Sequence, residues 1–176
     1  MYKSPGSQFN ELFDKLFKTQ DQAQREKITS QLNKLAKEGK NELVDAVVAR
    51  IDSYDSSSPY RLAAYSYLAQ IQNPRALEKV LSVLKDELLN PRFGVYAQLS
   101  SSIHFGLSQR DSKDVIDKLR KLLSDVTDQK KKGATCSAPL CASISNTIKT
   151  VEANMLKKQM QALLPEDKRT FASAKQ

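Results

Sequence analysis

Residues 58–77 read SPYRLAAYSYLAQIQNPRAL, and this stretch decides the fold class. It contains two helix starts of one kind, because Ser58 and Asn73 each place a side-chain acceptor at an N-cap and each precede a proline. Proline suits the first helical position, where a backbone N–H has no helical partner. Asn90 repeats the pattern further along the chain. The connections between helices are therefore short, and short connections make neighbouring helices antiparallel.

Apolar residues recur at helical spacing along most of the chain. Gly39 suits a left-handed C-cap after one such segment, and Asp111 and Ser112 supply a cap before another. Two segments, 60–71 and 92–107, are apolar over a wider arc and carry few charges, which predicts deeper burial. No stretch alternates with period two. The sequence therefore predicts an all-α protein of about 7–8 helices.

The composition limits the other possibilities. The 176 residues fit one domain, predicted over residues 1–164, and the polar stretch 165–176 is predicted to be a flexible C-terminal tail. The net charge of +8 favours acidic partners, and no apolar run is long enough to span a membrane. Cys136 and Cys141 are too few for a disulfide framework, so we expect a cytoplasmic location. The two thiols are either small buried apolar residues or a redox pair.

The stretch from Ser58 to about Leu107 resembles HEAT-like repeats of the type first named from phycobilisome lyases. In that family a proline opens the inner helix, an arginine and small residues follow, and an Asn/Asp-Pro-x-Ala-Leu turn opens the next outer helix. The resemblance implies a short α-solenoid of antiparallel helical hairpins. A compact helical bundle is the alternative fold. The family roles fall here to Pro59, Arg61, Ala63, Ala64, Leu68, Asn73, Pro74, Ala76 and Leu77.

If the resemblance holds, the outer helices span 41–53, 74–89 and 112–128, and the inner helices span 59–71, 91–107 and about 139–158. The outer helices carry mixed charges, as solvated surfaces do, whereas the inner helices are poor in charge and rich in Tyr, Ser and Asn. Such a surface suits protein recognition, because tyrosine offers a large contact area at low entropic cost. We therefore expect a non-enzymatic adaptor or accessory subunit that docks a protein partner. The predicted partner-binding residues are Arg61, Tyr65, Tyr67, Tyr96, Gln98, Ser101 and Asn146.

A basic nucleic-acid-binding module is the competing hypothesis, because the calculated pI is near 9.4. Its cations would form a positive edge, although the run 130–132 is expected to lie in a loop. HEAT-like DNA glycosylases use a basic concave face with Trp and Asp, and this chain has no Trp. The possible anionic-ligand patch consists of Lys118, Lys121, Lys130, Lys131 and Lys132.

Catalytic and cofactor motifs are absent from the sequence. There is no Gly-rich phosphate loop, no His-Glu-x-x-His and no Gly-x-Ser-x-Gly elbow, and the single histidine, His104, cannot complete a metal site. His104 is a candidate general base for a nearby serine, but an isolated histidine on an apolar helix is more often packed and hydrogen-bonded. We predict no catalytic residue, no metal and no cofactor. The likeness to lyases concerns their scaffold and implies no chemistry.

Overall fold

The computed structural model of the chain describes residues 3–89, 95–131 and 138–163. Within these residues every regular element is a helix, which confirms the all-α class. The predicted C-terminal tail, 165–176, lies outside the described residues. The helices are α1 (Pro5–Lys18), α2 (Gln22–Glu38), α3 (Asn41–Asp52), α4 (Pro59–Gln70), α5 (Pro74–Leu89), α6 (Val95–Leu107), α7 (Lys113–Lys131) and α8 (Ala138–Ala162).

Local capping signals explain several of these boundaries. Gly39 ends α2 in the left-handed region with φ 59° and ψ 33°, as predicted. The Asn73 side chain accepts a hydrogen bond of 2.8 Å from the backbone N–H of Arg75, which confirms it as the cap of α5. Ser58 occupies the N-cap position of α4, but its side chain makes no capping hydrogen bond. The predicted start at Asn90 lies outside the described residues.

Two helices are longer than the sequence predicts. Helix α7 continues to Lys131, so Lys130 and Lys131 belong to its last turn and not to a loop; Lys132 lies outside the described residues. Helix α8 continues past the expected end at Lys158 to Ala162. Neither segment contains a proline or glycine that would stop a helix, so helical propensity carries both helices further.

The helices contact one another in two ways. Helices that follow each other along the chain are in contact in the pairs α1 with α2, α3 with α4, α5 with α6 and α7 with α8. Helices two apart also pack, so that α1, α3, α5 and α7 form one succession of contacts, the odd row. Helices α2, α4, α6 and α8 form the other, the even row. The hydrophobic core lies between the rows and includes the fully buried Phe9, Leu68, Ile103, Leu119 and Ile144.

Helix α4 lies at the centre of this arrangement and contacts α2, α3, α5 and α6. Its side chains are buried or half-buried from Arg61 to Gln70, which confirms the deep burial predicted for this segment. The contact with α6 is very close at Gly106, where an added Cβ would lie 2.6 Å from the Cβ of Ala69 and closer still to the carbonyl oxygen of Ser66. Small residues on both helices therefore set the spacing of the even row.

Side-chain donors link the turns after α2, α4 and α6 to other parts of the fold. These turns are residues 39–40, 71–73 and 108–112, and each link has a turn residue at one end. Every donor satisfies a carbonyl at or near the end of an even-row helix, where helical N–H groups have run out. The links run from Asn73 Nδ2 to the Gly39 carbonyl (2.7 Å), from Arg110 Nε to the Ala69 carbonyl (2.7 Å) and from Asn154 Nδ2 to the Ser108 carbonyl (2.6 Å).

Candidate protein-interaction surface

Two of the predicted partner-binding tyrosines are core residues. Tyr67 is only 6% exposed, its ring stacks on that of Phe9 with centroids 5.1 Å apart, and its hydroxyl donates to the Leu32 carbonyl at 2.8 Å. Tyr65 is 5% exposed. The prediction that these rings face a partner is therefore wrong, because α4 is covered on several sides and its wide apolar arc leaves little free surface.

Arg61 and Tyr65 meet at the edge of this core. The Arg61 guanidinium carbon lies 5.2 Å from the centroid of the Tyr65 ring, which is a cation–π contact. Burial raises the pKa of Tyr65 above its usual value, and the nearby Arg61 opposes that shift. Half-buried Arg61 is thus engaged within the fold.

Glu87 on α5 is a buried carboxylate that the sequence analysis placed among the charges of a solvated face. Glu87 is only 6% exposed. Within the described part of the chain, its Oε1 atom has no hydrogen-bond partner. Burial, together with the neighbouring negative charge of Asp86, raises the pKa of Glu87 to about 7. Helical spacing places Glu87 three residues after the buried Leu84 and seven after the buried Val80, on the same face of α5. Its charge, after two other charged residues, points instead to a solvated position.

His104 is packed between α6 and α8, as the sequence predicts. Its Nδ1 atom lies 2.7 Å from the Thr147 hydroxyl oxygen, and that hydroxyl donates to the Ser143 carbonyl at 3.0 Å. Because the one hydroxyl proton is used there, Nδ1 must carry the proton and donate to Thr147. The Nε2 atom is buried without a partner in the described chain, and burial lowers the pKa of His104 to about 4.

Glu87 and His104 have opposite effects on stability between about pH 4.5 and 6.5. The folded state holds the Glu87 proton more tightly than the unfolded chain, so that group lowers stability as pH rises from 4.5 to about 7. The lowered pKa of His104 makes stability rise with pH from about 4 to 6.5. We expect a nearly flat stability profile for the natural chain across this window.

Glu87→Gln is expected to stabilise the protein by about 2 kcal/mol at pH 8. The raised pKa of Glu87 corresponds to a loss of stability of about 3 kcal/mol, at about 1.4 kcal/mol per pKa unit. Burial of the glutamine amide also costs free energy, so the net gain is smaller. Urea unfolding from pH 4 to 8 measures the effect, which should vanish near pH 4. Glu78→Gln, at an exposed site on the same helix, is the control and should shift stability by less than about 0.5 kcal/mol. Equal responses of the two variants would contradict the assignment.

Five exposed neutral residues of α6 and α8 lie on the even row, beside the exposed Lys149 of α8. Gln98, Ser101 and Phe105 share one side of α6, three or four residues apart, and all three are exposed. Asn146 and Thr150 are exposed on α8 and flank Thr147, which contacts His104. We call these five residues the Phe105 face. It includes three predicted residues, Gln98, Ser101 and Asn146; the side chain of Tyr96 lies outside the described residues.

The exposure of Phe105 could not be predicted, because the wide apolar arc of α6 predicts burial throughout. Instead, 62% of its surface is exposed. Ile103 and Leu107 on either side face the core, while Gly106 faces α4 and His104 faces α8. Phe105 therefore stands on the side of the even row that faces away from the core, among the neutral residues of the Phe105 face.

The predicted basic patch is only partly described. Lys118 is half-buried and pairs with Asp114 at 3.6 Å, whereas Lys121 is exposed. Lys130 and Lys131 lie in α7, but their side chains are not among those that the structure describes. Lys132 lies outside the described residues. Along α7 the cations alternate with acidic residues, so the described part does not present a purely positive face. The interleaved acidic residues are Asp114, Asp117, Asp125 and Asp128.

The described residues offer no metal site and no membrane-spanning helix. No group of three or more His, Cys, Asp and Glu side chains there is placed to hold a metal ion. No helix in the described ranges combines the length and apolar character that a membrane crossing requires. Cys141 is half-buried, and Cys136 lies outside the described residues, so their pairing stays a prediction.

Comparison with known protein families, with curated proteins and with solved structures finds no match for the chain.

Proposed function

We propose that this protein is a short HEAT-like stack of helical hairpins that acts as a non-enzymatic adaptor or accessory subunit. The two rows of helices and the recurring links at their turns support the stacked arrangement, because each hairpin contacts mainly its neighbours in such folds. The protein partner docks on the Phe105 face of the even row. The proposal keeps the predicted location on α6 and α8 but excludes the buried Tyr65 and Tyr67.

The exposure of Phe105 on a neutral face is the observation that carries this proposal. The centres of protein interfaces are depleted in charge and enriched in aromatic residues. Burying the exposed part of a phenylalanine ring against a partner contributes about 1.5–3 kcal/mol. Gln98, Ser101, Asn146 and Thr150 supply hydrogen-bonding groups around the ring without the desolvation cost of a full charge. Phe105 is thus the anchor and its neighbours form the polar rim.

Phe105→Ala is expected to weaken binding of the partner at least about tenfold. The partner is first identified in cells that express the chain, by replacing Phe105 with a photo-crosslinking phenylalanine analogue and sequencing the crosslinked protein. A second chain with the crosslinker at Lys79, exposed on α5 of the odd row, defines the background. Calorimetric titration of the purified pair then measures the dissociation constant of each variant.

Phe17→Ala is the matched control, since Phe17 is a partly exposed phenylalanine on α1, away from the Phe105 face. It should leave the dissociation constant unchanged once thermal melting has confirmed that the variant is folded. Equal binding by Phe105→Ala and the natural chain would exclude this face. A complex with nucleic acid that weakens steeply with salt and with Lys121→Ala would support the competing hypothesis instead.

A further inference from the structure

The last turns of α8 leave the core and expose an apolar stripe. Val151 is fully buried, but Leu156, Met160 and Leu163 are 57%, 61% and 86% exposed. Leu163 is the residue directly after the end of α8. The spacing of four and three residues, as between the a and d positions of a heptad, places Leu156 and Met160 on one side of α8, and Leu163 follows them in the turn that ends the helix. We call these three residues the α8 stripe.

The α8 stripe faces away from α6. Thr147 of α8 contacts His104 of α6. Asn154 of α8 donates to the Ser108 carbonyl in the turn that follows α6. Leu156 follows Thr147 by nine positions, which is about two and a half helical turns. It therefore lies on the opposite side of α8. Among the residues that the structure describes, that side is the open end of the even row, where a further helix would continue the packing.

The charges beside the α8 stripe are predominantly positive. Lys149 and Lys157 are exposed on the same helix. Glu152, the acidic residue of α8, forms an ion pair with Arg120 of α7 at 2.6 Å. Lys158 pairs with Asp111 at 2.9 Å. A partner segment that approaches the stripe thus meets a cationic rim on a chain whose net charge is +8.

We propose that the α8 stripe docks an acidic amphipathic helix of a partner protein, which takes the next position in the even row. The apolar side of that helix covers Leu156, Met160 and Leu163, and its carboxylates lie beside Lys149 and Lys157. A second copy of the chain would bring like charges together at this rim, so it is the weaker occupant. The α8 stripe and the Phe105 face are different surfaces, and each proposal can fail while the other stands.

The probe is a synthetic peptide of about three heptads with Leu at positions a and d and Glu at e and g, which repels itself and is unfolded alone. Added to the full chain, it should bind saturably, and its helicity, followed by circular dichroism, should rise. Leu156→Ser combined with Met160→Ser should weaken binding at least about tenfold. Gln159→Ser, exposed on the same turns, is the control and should bind like the natural chain. A peptide with Lys in place of Glu should bind more weakly at low salt.

Three outcomes would overturn the proposal. Equal peptide binding by the double variant and the natural chain would show that the α8 stripe is not the contact. Sedimentation that reveals a dimer lost in the double variant would identify a second copy as the occupant. Stripe-dependent binding to phosphatidylcholine–phosphatidylserine vesicles without peptide binding would identify a lipid surface. Thermal melting should be unchanged in all variants, because the substituted side chains are exposed.

Discussion

Gly106→Ala is expected to destabilise the fold by about 3 kcal/mol, although alanine is the better helix former. Helix propensity alone would stabilise this substitution by about 1 kcal/mol. The new methyl group, however, would lie 2.6 Å from the Cβ of Ala69 and closer still to the Ser66 carbonyl oxygen, which belongs to the backbone of α4. Backbone cannot rotate out of the way as a side chain can, so α4 and α6 must separate. The free-energy cost of overpacking this close interface exceeds the gain in helix propensity.

Thermal and urea unfolding measure this effect, and we expect the melting temperature to fall by about 6–12 °C. Gln98→Ala, at an exposed position of the same helix, is the control and should change stability by less than about 0.5 kcal/mol. A Gly106→Ala variant as stable as the natural chain, or more stable, would show that α4 and α6 do not approach closely at this point.

Arg110→Met is expected to destabilise the fold by about 2–3 kcal/mol. Arg110 is 3% exposed, and its Nε donates to the Ala69 carbonyl at 2.7 Å while its Nη2 donates to the Ile71 carbonyl. The backbone N–H groups of Ile71, Gln72 and Asn73 bond elsewhere, to Leu68, Ala36 and Ile71, so the Ala69 carbonyl relies on Arg110. Hydrogen bonds from a charged donor contribute about 1.5–3 kcal/mol each. The variant no longer bears the desolvation cost of a buried cation, which offsets part of the loss.

Burial lowers the pKa of Arg110 to about 10, so the guanidinium stays charged at neutral pH and the loss should be the same from pH 6 to 8. Urea unfolding of the variant over that range is the measurement. Arg75→Met is the matched control: Arg75 forms an exposed ion pair with Asp45 at 2.9 Å, which contributes little. An Arg110→Met variant no less stable than Arg75→Met would contradict the role of Arg110 in linking the turn 108–112 to the end of α4.

Much of the fold could be predicted because its signals are local. Gly39 ends a helix in a left-handed conformation that glycine adopts readily, and the side chain of Asn73 caps the helix that follows it. The same residues also act at long range, since Asn73 donates to the Gly39 carbonyl 34 positions away. The sequence pattern does not indicate that second contact, because a hydrogen bond between two turns depends on how the helices pack.

The candidate surface was predicted less well than the helices. Tyr65 and Tyr67 were expected to be exposed and are buried, whereas Phe105 was expected to be buried and is exposed. Periodicity gives the angular position of a residue on its own helix, but it does not say which neighbouring helices cover that angle. Helix α4 is covered on several sides and α6 is open on one, although both have wide apolar arcs.

The sequence by itself determined the all-helical class, most helix starts and the low charge of the α6 surface, since propensities, caps and composition act over a few residues. Only the tertiary structure decided that Gly106 faces α4, that Arg110 and Glu87 are buried, and that the end of α8 projects an apolar stripe from the core. Burial is a property of pairs of helices far apart in the chain. Such pairs form by mutual packing, which no single segment encodes.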